Sequence, residues 1–214
     1  MIQAVIFDFD GVIGDTMKDN CLAWQKAFSS HGYEIEALEY YKLEGMGRYQ
    51  IANYFIDKYK LNPSIKTSVV EAKENNYKAN NTFKIYDHVG DIFALLNSKK
   101  IKTAIVTGAS KERMSNSLDT VIANQISALI TADDVINTKP NPEPYLKAVS
   151  KLNIEAKNCL VIENAILGIE SAKAAKCKCF ALETTLTKKE LSLADEIFSS
   201  HKELLIKFET LFNN

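Results

Sequence analysis

The chain has 214 residues, 46% of them hydrophobic, with 26 Lys and Arg against 27 Asp and Glu. That length suits one large domain or a domain carrying an insertion, and the apolar share allows a sizeable core. The balanced charge excludes a basic field for nucleic acid and a polybasic membrane patch, so any phosphate recognition must come from a few placed cations.

The apolar runs are too short to span a bilayer, and the first residues show no signal-peptide pattern. Cys21, Cys159, Cys177 and Cys179 lack the CxxC spacing of a zinc or redox site. The expectation is a cytoplasmic protein with reduced thiols.

In chain order, Ala4 to Phe7 reads as a strand buried on both faces, and it runs into Asp8-Phe9-Asp10-Gly11. Asp8 and Asp10 fall at its C-terminal end, where ligand sites of open α/β sheets collect, with side chains pointing the same way. Two carboxylates buried together call for a cation or a shared proton. Residues 17–80 read as helical: Trp24 and Phe28 share one face, Ile51, Tyr54 and Phe55 another. Asn62-Pro63-Ser64 breaks the stretch and can cap the next helix.

From about residue 83 the pattern alternates. Val89, Ile92, Phe93 and Leu96 form a helical stripe, Thr103 to Thr107 a strand, and Lys111 to Ala123 a helix. A short strand at Ala128 to Thr131 and a helix at Glu143 to Leu152 follow. Then come a strand (Cys159 to Glu163), a helix (Ile166 to Ala175), two strands (Cys179 to Leu182, Asp195 to Phe198) and a last helix with Leu204, Leu205 and Phe208. This order predicts an α/β parallel sheet with helices on both faces, interrupted after the first strand by a helical insertion.

Three further segments carry chemistry. Thr107-Gly108 ends a strand before a helix; the hydroxyl and backbone N–H groups can hold an anion or simply cap the helix. Lys139 sits in Thr138-Lys139-Pro140-Asn141-Pro142-Glu143, where two prolines fix the approach to a helix; the lysine is either aimed inward at a phosphoryl group or a surface residue. Glu163-Asn164 ends the next strand with oxygen ligands suited to Mg²⁺, and Asn164 equally suits a helix N-cap. His31, His88 and His201 fall in no motif, and neither a Gly-x-Ser-x-Gly elbow nor a Walker loop is present.

Four such strand ends in this order resemble the haloacid dehalogenase superfamily over nearly the whole chain. Within it, the likeness is to the subgroup of β-phosphoglucomutase and small sugar phosphatases with a helical cap. The resemblance implies a Rossmann-like core at residues 1–15 and 83–214 and a cap at residues 16–82, hinged near Asp15 and Thr16. It implies Asp8 as nucleophile, Asp10 as general acid/base, and Thr107, Gly108 and Lys139 as phosphate ligands. Mg²⁺ would be held by Asp8, Asp10, Glu163 and Asn164.

In the cap, Arg48 stands where the mutase grips a second phosphate, and Lys73, Asn76 and Tyr77 where it contacts sugar. The expected activity is a Mg²⁺-dependent phosphatase acting on a small sugar or polyol phosphate. The expected state is a monomer or weak dimer without nucleic-acid or membrane partners. A sugar-phosphate mutase and a non-catalytic binding protein are the alternatives. Two departures bear on the choice. Asn164 replaces a second acid, which predicts weaker Mg²⁺ binding with Glu163 carrying more of it. Asn20 replaces a histidine of the mutase, which favours the phosphatase.

Overall fold

The computed structural model describes residues 1–118 and 120–212. Six strands form one all-parallel sheet: β1 (Ala4–Phe7), β2 (Lys102–Val106), β3 (Ala128–Ile130), β4 (Cys159–Glu163), β5 (Lys178–Leu182) and β6 (Glu196–Phe198). Their order across the sheet is β3-β2-β1-β4-β5-β6. The chain therefore winds outward from β1 in both directions, and the crevice beside the C-terminal end of β1 is the switch point where such sheets bind ligands. In register, Phe7 pairs with Ile105 on one side and Ile162 on the other. Asp8, Thr107 and Glu163 consequently emerge side by side.

Both faces of the sheet are covered, which is why its inner strands are near-continuous apolar runs rather than alternating. One face packs on α8 (Glu143–Leu152) and α9 (Ile166–Ala174) through Tyr145, Ala148, Leu152, Ile169 and Ala172. The other packs on α5 (Val89–Ser98) and α10 (His201–Phe212) through Ile92, Phe93, Leu96, Leu204 and Phe208. Each fully buried Leu, Ile or Phe in these layers contributes about 1.5–3 kcal/mol.

The helices after β1 form a cap: α1 (Met17–Ser29), α2 (Ala37–Lys42), α3 (Arg48–Lys58) and α4 (Lys66–Asn80). They have a core of their own, built on Trp24, Phe28, Ile51, Phe55, Val69 and Val70. The Phe28 and Phe55 rings meet edge to face at 5.6 Å, a geometry that adds to area burial. Asn62 caps the turn before α4 by accepting from the Ser64 N–H at 3.0 Å, as its sequence suggests.

The single helix expected over Lys111 to Ala123 is two, α6 (Lys111–Ser117) and α7 (Thr120–Ala123). Leu118 takes an extended ψ of 117° after α6 and ends that helix. Tyr54, expected on a buried face, is 39% exposed and donates to Glu39 instead.

Candidate active site

Asp8 leaves β1 with its N–H bonded to Ile162 O, which holds the chain against β4 for one more residue. The chain then folds back in a tight turn in which the N–H groups of Ile13 and Gly14 both reach Phe9 O. This turn brings Asp10 to the same end of the sheet as Asp8, and both side chains are buried.

Lys139 is aimed inward, not outward. Its loop is tied down by Glu143, which accepts from the N–H groups of Ile136 and Asn137 at 2.9 Å each. Asn141 braces the same loop by accepting from Glu143 N at 2.9 Å. Lys139 Nζ then donates to Asp8 Oδ1 and to Glu163 Oε1, both at 2.6 Å. Glu163 is closed on its other sides: Tyr145 OH donates to Oε1 at 2.6 Å, and the N–H groups of Asn164 and Ala165 reach Oε2 at 3.0 and 3.3 Å. Its carboxylate lies so close under α9 that a Cβ at Gly168 would sit 1.8 Å from Oε1, so this position tolerates only glycine.

Glu163, expected as a Mg²⁺ ligand, is engaged on both oxygens by the protein itself. Each of its oxygens already accepts two hydrogen bonds, and its place is to hold Lys139. Asn164 is different. Its Nδ2 donates to Thr185 Oγ1 at 3.2 Å, while its buried Oδ1 has no partner. An orphaned buried acceptor is costly unless something outside the protein satisfies it.

The charges point the same way. One ammonium stands between two buried carboxylates, Asp8 and Glu163. Burial pushes the Asp8 carboxyl well above the ordinary range; Lys139 opposes this and Glu163 adds to it. Burial alone would lower the Lys139 ammonium, but Asp8 and Glu163 outweigh it and hold the lysine charged. A second cation beside Asp8 and Asn164 Oδ1 would complete the balance, and a hard divalent ion that takes one or two protein oxygens and keeps its waters suits this donor set. Among the described residues, no three His, Cys, Asp or Glu side chains are grouped as a metal site.

Asp10 has separate partners. Its Oδ1 accepts from Thr16 Oγ1, from Arg113 Nη2 and, at 3.3 Å, from Asn20 Nδ2. Burial would raise its carboxyl, yet Arg113 and the Thr16 hydroxyl more than offset that, and it lies below the ordinary range. Thr107 is buried at the end of β2, its Oγ1 accepting from Ala109 N at 3.0 Å. Gly108 faces the cap loop: a Cβ there would lie 3.4 Å from Met46 O.

Between core and cap lies a cavity of about 30 Å³, lined by Asp10, Trp24, Glu44, Arg48, Lys73, Gly108 and Arg113 among others. That is room for about one water, so the cap is shut. Gly47 N donates to Thr138 Oγ1 at 3.2 Å, and Lys78 pairs with Glu112 at 2.7 Å across the seam. Gly45, at φ 99°, passes so close to Lys139 that a Cβ would lie 3.1 Å from its Cδ.

Arg48 and Lys73 line this cavity. Lys73 is buried, ion-paired with Glu74 at 3.1 Å and set 5.7 Å from the Trp24 ring centroid. Asn76 does not: it lines a groove on the outside of the cap, with Asp19, Leu22, Gln25 and Glu34. Val69, Lys73 and Tyr77 are the buried face of α4, four residues apart, and Asn76 falls off that stripe.

Sequence reasoning missed three residues. Tyr145 holds Glu163. Glu44 faces the cavity with Oε2 shielded and unpartnered, and burial with Asp10 nearby pushes its carboxyl up to about 7. Arg113 bridges Asp10 and the cap, and its sequence gave one sign: it is a basic residue in the first turn of α6, against the helix dipole.

Comparison with known proteins agrees with this geometry. A phosphatase of validoxylamine A 7′-phosphate from Streptomyces hygroscopicus subsp. limoneus is 28% identical in an alignment that covers 95% of this chain and 96% of that protein. A phosphorylated carbohydrates phosphatase from Thermotoga maritima is 26% identical over 178 residues, 81% of this chain and 82% of that one. The crystal structure of β-phosphoglucomutase from Clostridium difficile superposes with a TM-score of 0.85 at 26% identity, covering 99% of this chain and 97% of that chain. The profile of the haloacid dehalogenase-like hydrolases matches residues 5–182, from the middle of β1 to the end of β5. With the strand order, the cap and the Asp8–Lys139–Glu163 cluster in place, the chain belongs to the haloacid dehalogenase-like hydrolase family.

Proposed function

We propose that this hydrolase is a Mg²⁺-dependent phosphatase that cleaves a small phosphorylated metabolite, a sugar or polyol phosphate, through an acyl phosphate on Asp8. The observation that carries this reading is the division of labour between the two aspartates. Asp8 sits beneath the cleft on Lys139, while Asp10 lines the cavity where a leaving group would lie. A carboxylate oxygen of Asp8 attacks phosphorus, the ester oxygen departs, and Asp10 gives it a proton. Water then attacks the acyl phosphate, the bond from phosphorus to Asp8 breaks, and Asp10 takes the water's proton. Lys139, Thr107 and the N–H groups after β2 would hold the phosphoryl oxygens, and the shut cap would exclude bulk water.

Asp8 and Asn164, with the Asp10 segment, would hold Mg²⁺. Bound there, the ion would offset the repulsion between Asp8 and the phosphate.

The relatives named above as phosphatases support the sugar or polyol class. The likeness to β-phosphoglucomutase supports a mutase as the second reading. Against it stands Asn20, whose Nδ2 donates to Asp10 and to Thr16 O and which cannot exchange a proton. The test is phosphate release from a panel of hexose and polyol monophosphates with Mg²⁺. Rapid release of free phosphate supports the phosphatase. Conversion of β-glucose 1-phosphate to the 6-phosphate without release supports the mutase, and no turnover with Mg²⁺ or Mn²⁺ would point to a binding protein.

A further inference from the structure

The three donors on Asp10 do not all come from the core. Thr16 and Asn20 belong to the start of α1. Arg113 belongs to α6 but reaches the cap as well: Nη2 donates to Tyr77 OH at 3.1 Å, and the guanidinium carbon lies 4.4 Å from the Tyr77 ring centroid. One nitrogen of Arg113 therefore touches both the Asp10 carboxylate and a buried side chain of α4. The Nε is shielded from water without a partner among the described residues. Leaving a guanidinium half-satisfied in the first turn of a helix is a poor way to stabilise α6. Its contacts make sense as a link between Asp10 and the cap.

We propose that Arg113 is a positioning residue through which α4 of the cap sets the orientation of Asp10: Tyr77 fixes the guanidinium, and the guanidinium fixes the carboxylate beside the cavity. This rests on the phosphatase reading above. The step it serves is the second one, where water adds to phosphorus, the bond to Asp8 breaks and Asp10 accepts the proton. Lifting the cap withdraws Tyr77 and Asn20 together, so the base is aligned only in the state that keeps bulk water out.

The test compares Arg113→Gln, Arg113→Lys, Tyr77→Phe and the double variant Arg113→Gln/Tyr77→Phe, with p-nitrophenyl phosphate as substrate. With its base misplaced, hydrolysis of the acyl phosphate becomes the slow step. Arg113→Gln should lower kcat about 30-fold or more, move KM far less, and show a burst of nitrophenolate approaching one per enzyme. Tyr77→Phe should give a smaller loss of the same kind, about 3- to 10-fold, and the double variant should be no worse than Arg113→Gln alone. Arg113→Lys should recover part of the activity, since an ammonium reaches Asp10 but lacks the guanidinium fork. Additive losses, or a rise in KM without a burst, would overturn the proposal.

Trp24, the chain's one tryptophan, is buried against the cavity and gives a readout that needs no turnover. Acrylamide quenching of its fluorescence should rise in Arg113→Gln and Tyr77→Phe, and no further in the double variant. If the wild type cleaves no phosphate ester while this pattern holds, the phosphatase reading fails and the link between Arg113 and the cap stands. Quenching that neither variant moves overturns the link whatever the activity. Should Arg113→Gln not fold by thermal melt, Tyr77→Phe and Arg113→Lys carry the same comparison.

Discussion

The floor of the cleft and its roof are built differently. On the floor, Lys139 joins Asp8 to Glu163, and Tyr145 with two backbone N–H groups fills the rest of Glu163. On the roof and its margin, polar atoms wait: Glu44 Oε2 and Arg113 Nε are shielded from water without partners. The difference separates chemistry from recognition. On the proposed reading, the groups that would meet the phosphoryl group are locked by packing and by one another before any substrate arrives, which is what preorganised electrostatics requires. On the roof, Glu44 keeps unused hydrogen-bonding capacity toward the cavity. Asn164 Oδ1 is the exception on the floor, a buried acceptor with no partner among the described residues, and on the proposed reading it would face the cation.

If that contrast is right, substitutions on the floor should cost stability as well as activity. Lys139→Met leaves two buried carboxylates facing each other without their cation. It should destabilise the protein by about 3–5 kcal/mol in urea unfolding, besides abolishing turnover. A loss under about 1 kcal/mol would show that the cluster is not the closed network described.

Glu44 tests the roof. Its carboxyl is raised from an ordinary 4.5 to about 7, so the folded state holds the proton more tightly than the unfolded one. The resulting cost is absent below pH 4.5, grows as pH rises to 7, and is complete above it. Glu44→Gln should therefore stabilise the protein by up to about 3 kcal/mol at pH 8, with the gain vanishing near pH 4. Stabilisation that does not depend on pH would contradict the assignment.

Asn164→Asp sharpens the exception. An added charge beside Asp8 should tighten Mg²⁺ binding about tenfold, read as the Mg²⁺ concentration for half-maximal activity. An unchanged metal dependence would place the ion elsewhere. The smallest effect on stability belongs to Arg48→Ala, which should change unfolding by no more than about 0.5 kcal/mol while raising KM. A large destabilisation there would make the roof a structural element after all.

Much of the floor was legible in the sequence because it is written locally. Asp8, Thr107 and Glu163 each stand at the end of an apolar strand and Lys139 directly before a proline-framed turn, and a parallel sheet brings strand ends together without further information. The boundaries of α8 and β4 match the apolar pattern residue for residue. Arg113 and Glu44 were not legible, since their meaning depends on contacts across the seam between core and cap. Arg113 meets Asp10 over a separation of 103 residues. Asn76 shows how fine the margin is. One residue along α4 turns a side chain through about 100°, and it is Tyr77 that faces the site.

The hydrogen-bond partners of Glu163 could not be read either. Its carboxylate looks like a metal ligand by type and position. Only its four hydrogen bonds show that it is occupied with Lys139 and the start of the chain toward α9.

The central claim is that Asp8 carries the phosphoryl group while Asp10 moves protons. Acid quenching during turnover of the best substrate from the monophosphate panel, followed by peptide mass spectrometry, tests it most directly. The account predicts one added phosphoryl group on the peptide containing Asp8, absent in Asp8→Asn. Phosphate release with no such adduct, or an adduct that survives in Asp8→Asn, would contradict it.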